Sequence, residues 1–441
     1  MLYFNDNQLK INPKMKKSTL YLLMGILLFV SACKDTPKAN EEVETVAYVV
    51  NESAVARIDS TLKSIVDSGN IAGVSALIFE KDKEVYYNAF GYADLEAKKP
   101  MDRNTIVQIY SMTKPITGTA LMTLHEEGKF DLDDPLEKFA PEFANMKVYV
   151  GEDAAGKPIL EDANRAITIR DITRHTAGFG NNGNIPGLGK LIAEADAMNR
   201  ENTLVQMAEK LGSTPLHFHP GTQWEYGPCV DIQAFLVERI SGMPYKEYVR
   251  THVLDPLKMD KTRYFVPEED RGLFSAIYFR EGAGLDSLVQ LSAEDSKSNY
   301  FTEWPLTRGG SGLTASIDNY QRFARMLVNE GTFEGTTILK PETIKLMATS
   351  HLSDSITERM WLPSKGQVGF GIDFAVRLRP PATKEENNGV VGEFFWDGAA
   401  STLFWVDPIN DLTAVLFVQL FPYDQVGLHK AFRDAVYGPI E

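Results

Sequence analysis

Two strand-rich segments, one near each end of the chain, constrain the fold most. Gly73 to Glu80 is a β-rich run, Lys81-Asp82-Lys83 reads as a turn, and Glu84 to Phe90 is a second strand. This predicts an antiparallel hairpin. Ahead of it, Val55, Ile58, Leu62, Ile65 and Val66 form a helical stripe, with Ser53 as candidate N-cap and Gly69 just past the end. Near the other end, Thr402 to Asp407 and Leu412 to Gln419 form a strand pair around Pro408-Ile409-Asn410-Asp411, and Val426 to Val436 predicts a closing helix. The segment between, roughly Leu132 to Arg308, is rich in helical patterns, Pro and Gly. The expected fold is α+β: an antiparallel sheet from both chain ends, flanked by helices, with a mostly helical insertion.

The chain has 441 residues, 44% hydrophobic and 24% charged, which excludes collagenous, wholly disordered and polytopic membrane classes. Its net charge is −15, and no Lys/Arg-rich run or basic aromatic stripe occurs, so nucleic acid is not an expected partner.

Residues 1–32 read as a leader. Met15-Lys16-Lys17 is basic, Leu20 to Val30 is apolar, and Val30-Ser31-Ala32-Cys33 follows. Met15 reads as a better start than Met1. Eleven residues rise about 17 Å as a helix, short of the roughly 30 Å hydrocarbon core. The small-small-Cys ending resembles a bacterial lipobox, which implies lipid on Cys33 and a lipid-anchored place in the cell envelope, at the periplasmic or outer-membrane face. Residues 33–52 then read as a tether and 53–441 as the hydrolase domain. With Cys33 lipidated, Cys229 has no intrachain partner and no disulfide framework exists.

The chemistry starts at Ser111. Thr105 to Tyr110 is strand-like, and Ser111-Met112-Thr113-Lys114-Pro115 opens a helix-compatible stretch reaching Glu127 and stopping at Gly128. Helical positions i and i+3 share a face, so Ser111 and Lys114 point into the same space. A serine needs a base to become a nucleophile, and burial lowers a lysine toward that role.

Further blocks stand in order along the chain: Asp171-Ile172-Thr173-Arg174-His175-Thr176-Ala177-Gly178; Pro220-Gly221-Thr222 leading to Tyr226; Gly309-Gly310-Ser311-Gly312-Leu313; and Trp396-Asp397-Gly398. With Tyr110-Ser111-Met112-Thr113-Lys114, they resemble the serine β-lactamase and penicillin-binding protein superfamily, in its class C β-lactamase-like branch that includes family VIII esterases. The resemblance spans roughly Ile58 to Tyr437. It implies Ser111 as nucleophile, Lys114 as its partner and Tyr226 as the second-motif tyrosine. A phenol beside a protonated lysine can be depressed toward phenolate, take the Ser111 proton and return it to the leaving group. The resemblance also implies Trp396, Asp397 and Gly398 as a substrate-binding strand, with the N–H groups of Ala399 and Ser111 as oxyanion hole.

Two positions depart from the β-lactamases. Tyr226-Gly227-Pro228 stands where they have Tyr-x-Asn, and Pro228 offers neither side-chain amide nor N–H. Trp396 replaces the lysine that recognises a β-lactam carboxylate, and Asp397 adds negative charge, although strand alternation turns it to the opposite face. The expected activity is acyl-enzyme hydrolysis of a small neutral ester, amide or peptide. A β-lactamase or D-alanyl peptidase is the alternative within the class, and a non-catalytic envelope binding protein the alternative outside it.

Neither metal nor cofactor is expected. His217-Phe218-His219 offers two imidazoles without an evident third ligand. His175 reads as a buried, hydrogen-bonded side chain and Cys229 as a small packed residue. Gly309 to Gly312 lacks the lysine of a phosphate loop, and Ser316 caps the next helix.

Overall fold

The computed structural model describes residues 47–180, 185–281, 287–292, 299–357 and 368–440. The first helix, α1 (Glu52–Asp67), buries Ala54, Ile58 and Leu62 along the expected stripe. Its N-cap is Asn51, not Ser53: the Asn51 side chain accepts from the Ala54 N–H at 3.1 Å, and the Ser53 hydroxyl donates to the same oxygen. Asparagine caps as well as serine does, so the helix starts at the earlier of the two. Arg57 Nε ties α1 to the carbonyl of Ala435 in the last helix.

Strands β1 (Gly73–Glu80) and β2 (Lys83–Asp94) form the predicted hairpin. Its turn is the two residues Lys81 and Asp82, both with positive φ, which matches the twist of the flanking strands; Lys83 already belongs to β2. Beyond β3 (Lys99–Pro100) the sheet takes its other strands from the C-terminal part of the chain: β4 (Val368–Phe370), β5 (Ala375–Arg377), β6 (Phe394–Asp397), β7 (Leu403–Asp407) and β8 (Leu412–Phe417). The order is β4-β5-β6-β7-β8-β1-β2-β3. The pairing of β1 with β8, Leu77 opposite Val415, joins the two chain ends at the sheet centre.

Four helices complete the frame: α2 (Thr113–Glu126), α3 (Cys229–Ser241), α4 (Ile317–Val328) and α5 (Leu428–Tyr437). Phe404 packs on Tyr320 and Phe323 of α4, while its neighbour Trp405 packs on Phe432 and Tyr437 of α5. Successive strand residues point to opposite faces, so α4 and α5 cover opposite sides of the sheet. With both faces covered, β7 and β8 are buried at every position.

The segment from 132 to 308 carries the expected helices, among them Pro186–Ala195, Leu204–Gly212 and α3, together with two ribbons. It contains a ribbon of Lys147–Glu152 with Pro158–Asp162, and a second of Tyr278–Glu281 with Ser287–Gln290. Residues Leu420–Phe421 add to the second ribbon in parallel. The strand expected over Thr105 to Tyr110 shrinks to Val107–Gln108, paired with Thr314–Ala315. It ends because Ile109 takes helical angles, φ −87 and ψ −5, and Tyr110 then turns into the left-handed region at φ 44.

Candidate active site

Tyr110–Met112 forms one 3-10 turn, and α2 follows directly. Ser111 therefore sits just ahead of the helix N-terminus, while Lys114 lies in its first turn. Because α2 is buried on all sides from Thr113 to Met122, the Lys114 ammonium group is enclosed with its stem. Its Nζ donates to the Gly310 carbonyl at 2.6 Å and to Ser111 Oγ at 3.2 Å. The hydroxyl of Tyr226 donates to the same Ser111 Oγ at 2.8 Å. Two proton-carrying groups thus converge on one serine oxygen, and Lys114 Nζ lies 4.5 Å from the centre of the Tyr226 ring.

The Gly309-Gly310 block is the floor of this arrangement. A Cβ on Gly309 would stand 2.3 Å from the Val230 carbonyl and 2.8 Å from the Ala234 Cβ, so only glycine lets the segment lie on α3. There the Gly310 carbonyl meets Lys114 and its N–H donates to Asp231 at 3.0 Å.

Electrostatics separate the two partners of Ser111. Burial lowers Lys114 to about 8; Asp231 opposes the shift and Arg308 adds to it. Burial raises the Tyr226 phenol, outweighing the hydrogen bonds from Ser111 and Trp396. This corrects the expectation of a phenolate: Tyr226 is a neutral phenol at physiological pH.

A cavity of about 400 Å³ opens on the three side chains, with Ala399, Asp231 and Arg308 also on its wall. Of the strand Trp396-Asp397-Gly398 and its successor, only Ala399 reaches this wall, which is a second correction. Trp396 is 4% exposed; its indole N–H bonds the Tyr226 hydroxyl and its ring leans on Tyr226 and Phe370. Asp397 turns the other way and accepts from the Tyr423 hydroxyl at 2.5 Å. Gly398 is a spacer: a Cβ there would meet Thr402 Oγ1 at 2.2 Å and the Ile109 carbonyl at 2.6 Å. Its absence lets the end of β6 close on the turn that carries Ser111.

His175 is fully buried as expected, yet neither ring nitrogen has a hydrogen-bond partner among the described residues. Its ring packs 4.8 Å from that of Tyr226, and burial holds it neutral. His217 and His219 pair with different carboxylates, Glu225 at 2.5 Å and Glu161 at 2.8 Å. No group of three metal-ligating side chains occurs among the described residues. Cys229 is buried, and its thiol is pushed up by burial. Cys33 lies outside the described residues. Sequence reasoning missed Asp231 and Arg308. The available signals were their places, Arg308 immediately before the Gly309-Gly310 block and Asp231 in the first turn after Tyr226-Gly227-Pro228.

Comparison with known proteins identifies the family and the fold. Protein Rv1367c of Mycobacterium tuberculosis is 31% identical over 368 residues, covering 82% of this chain and 89% of the relative. Esterase EstB of Burkholderia gladioli is 27% identical, covering 87% and 95%. The fold matches that of simvastatin synthase (LovD) from Aspergillus terreus with a TM-score of 0.76 at 21% identity, over 88% of this chain and 98% of that one. The family described as Beta-lactamase matches residues 58–438, a span that holds the serine, the lysine and the tyrosine just described. The chain belongs to that family and is a β-lactamase-related serine hydrolase.

Proposed function

We propose that the protein hydrolyses small carboxylic esters through a covalent acyl-enzyme on Ser111. One observation carries the reading: Ser111 Oγ lies 3.2 Å from Lys114 Nζ and 2.8 Å from the Tyr226 hydroxyl, on the wall of a cavity. In the active form Lys114 is the neutral amine, about a tenth of the population at pH 7 for a group that titrates near 8. As Ser111 Oγ bonds to the substrate carbonyl carbon, its proton passes to Lys114 Nζ. The N–H groups of Ser111 and Ala399 stabilise the oxyanion. Collapse breaks the ester C–O bond; the Tyr226 O–H protonates the leaving oxygen, and Lys114 returns a proton to Tyr226. Water repeats the sequence on the acyl-enzyme and frees Ser111. Trp396 orients the phenol rather than the substrate.

Esterase names among the relatives, EstB and the lovastatin esterase of Penicillium rubens, support an ester as substrate. Pro228 and the buried Trp396 argue against a β-lactam, because β6 presents no cation for its carboxylate and the second motif no amide. Losing a charged hydrogen bond costs about 1.5–3 kcal/mol, roughly tenfold to more than a hundredfold in affinity. A short acyl ester is therefore expected to exceed a chromogenic cephalosporin by at least about tenfold in kcat/KM. Cephalosporin turnover at or above the ester rate would replace this reading with a β-lactamase.

The Val30-Ser31-Ala32-Cys33 pattern supports a lipid anchor on Cys33 in the cell envelope. Among the described residues no helix is long and apolar enough to cross a membrane. A Cys33→Ser protein is expected in the soluble fraction after cell lysis; unchanged sedimentation with membranes would refute the anchor.

A further inference from the structure

A second cavity, of about 420 Å³, shares Tyr110, Arg308 and Ser311 with the one on Ser111. Its wall is aromatic and cationic. Tyr264, Tyr300 and Trp304 contribute rings, and five basic side chains reach it. Three of the five are matched by carboxylates: Lys246 by Glu303, Arg250 by Glu247 and Asp255, and Arg263 by Asp270. Of the other two, Arg308 pairs with Asp231, and Arg200 pairs with no carboxylate among the described residues.

Arg308 stands between the cavities. Its only carboxylate among the described residues, Asp231, lies at 3.4 and 3.5 Å and also accepts from the Gly310 N–H. The Arg308 side chain remains 39% exposed. Arg200 has no carboxylate partner among the described residues; its guanidinium lies 5.7 Å from the centre of the Trp304 ring. The indole N–H of Trp304 is buried without an acceptor among the described residues. Both arginines act on the Tyr300 phenol, and Arg308 disfavours the charge of Arg200, while Asp231 favours that of Arg308. In a chain of net charge −15, two guanidinium groups on the wall of one cavity, which adjoins the cavity of Ser111, are a local positive site.

We propose that this second cavity binds a carboxylate carried on an aromatic or branched apolar part of the substrate, with Arg200 and Arg308 as its anion ligands. The assignment deepens the ester hydrolase reading and rests on it for the word substrate. A carboxylate takes paired N–H bonds from a guanidinium, and aromatic walls take the apolar body to which it is attached. The expectation of a neutral substrate came from the missing lysine on β6; here the cations come from the insertion instead.

The test is direct binding, in Ser111→Ala protein of full length, of benzoate and of its neutral isostere benzamide, followed by calorimetry. Benzoate is expected to bind at least about tenfold more tightly than benzamide, with an affinity that falls as salt rises. Arg200→Gln and Arg308→Gln are each expected to reduce benzoate affinity by about tenfold or more and to leave benzamide affinity nearly constant. Arg308→Lys, which keeps the charge, is expected to retain most of the preference and guards against a loss through misfolding. Equal binding of the two probes, no binding of either, or a preference that survives both glutamine variants would overturn the proposal. Because this protein lacks the nucleophile, those outcomes do not depend on the acyl-enzyme. That separate reading fails only if Ser111 of the unmodified protein is not acylated.

Discussion

A Lys114→Ala protein is expected to lose about 10²–10⁴-fold in kcat on a short acyl ester, the range typical of a positioned proton-transfer group. The argument rests on geometry first. Lys114 Nζ is within 3.2 Å of Ser111 Oγ, and the Tyr226 phenol, raised by burial, is too poor a base to replace it. The sign of the pH dependence follows. The neutral amine is the active form and the group titrates near 8, so the rate of the unmodified enzyme rises as pH climbs through about 8 and levels off above it. Arg308 disfavours the charged form of Lys114, so Arg308→Gln moves that limb to higher pH. Thermal unfolding of Lys114→Ala is expected to change far less than its turnover, because a buried charge is removed together with its hydrogen bond to Gly310. A rate–pH profile from 5.5 to 10, with kcat near that of the unmodified protein in the alanine variant, would take Lys114 out of the mechanism.

A large stability effect is expected at Asp171. Its carboxylate is fully buried and accepts from Arg165 at 2.5 and 3.0 Å, from Arg174 at 3.2 Å, and from Thr168 and Thr176. Removing the carboxylate leaves Arg174 and the buried Thr176 hydroxyl without this acceptor, while Arg165, 40% exposed, turns to water, at about 1–3 kcal/mol. Asp171→Ala is expected to lower the urea midpoint accordingly, and Asp171→Asn, which keeps part of the hydrogen bonding, by less. Burial works to raise this carboxyl, but Arg165 and the Thr168 N–H outweigh it, and the folded-state pKa is lowered. The contribution is therefore complete above the pKa of the unfolded chain and disappears as pH falls toward the folded value. The unmodified protein and the alanine variant should converge in stability in acid. The consequence reaches the site, because the same loop carries His175 at φ 58 against the Tyr226 ring. An alanine variant as stable as its parent would show that the hub does not hold the loop.

The parts of this molecule that were legible in sequence are those set by local chemistry. β-rich runs on either side of a polar turn define β1 and β2, and an i,i+3 spacing brings Lys114 under Ser111. Ordered motifs extend that reading to Tyr226, which enters the site from a residue more than a hundred positions away. What sequence did not disclose depends on tertiary surroundings. Strand alternation separates the faces of Trp396 and Asp397, yet says nothing of whether either face meets the cavity; both are buried, against Tyr226 and Tyr423. The protonation of Tyr226 is decided by its burial, which no neighbour in sequence reveals. The ribbon at Lys147–Glu152 escaped notice because it buries only Val148, its partner strand buries no residue, and neither has a long apolar run. Arg200 and Arg308 are far apart in the chain and become a pair only across a cavity wall.

The central claim is that Ser111 becomes acylated. Treatment of the protein with a fluorophosphonate, proteolysis and tandem mass spectrometry test it most directly. The account predicts a single adduct on the peptide containing Ser111, formed in parallel with loss of ester turnover and absent from Ser111→Ala protein. An adduct on another residue, or an unlabelled Ser111 in protein that still turns over ester, would contradict it.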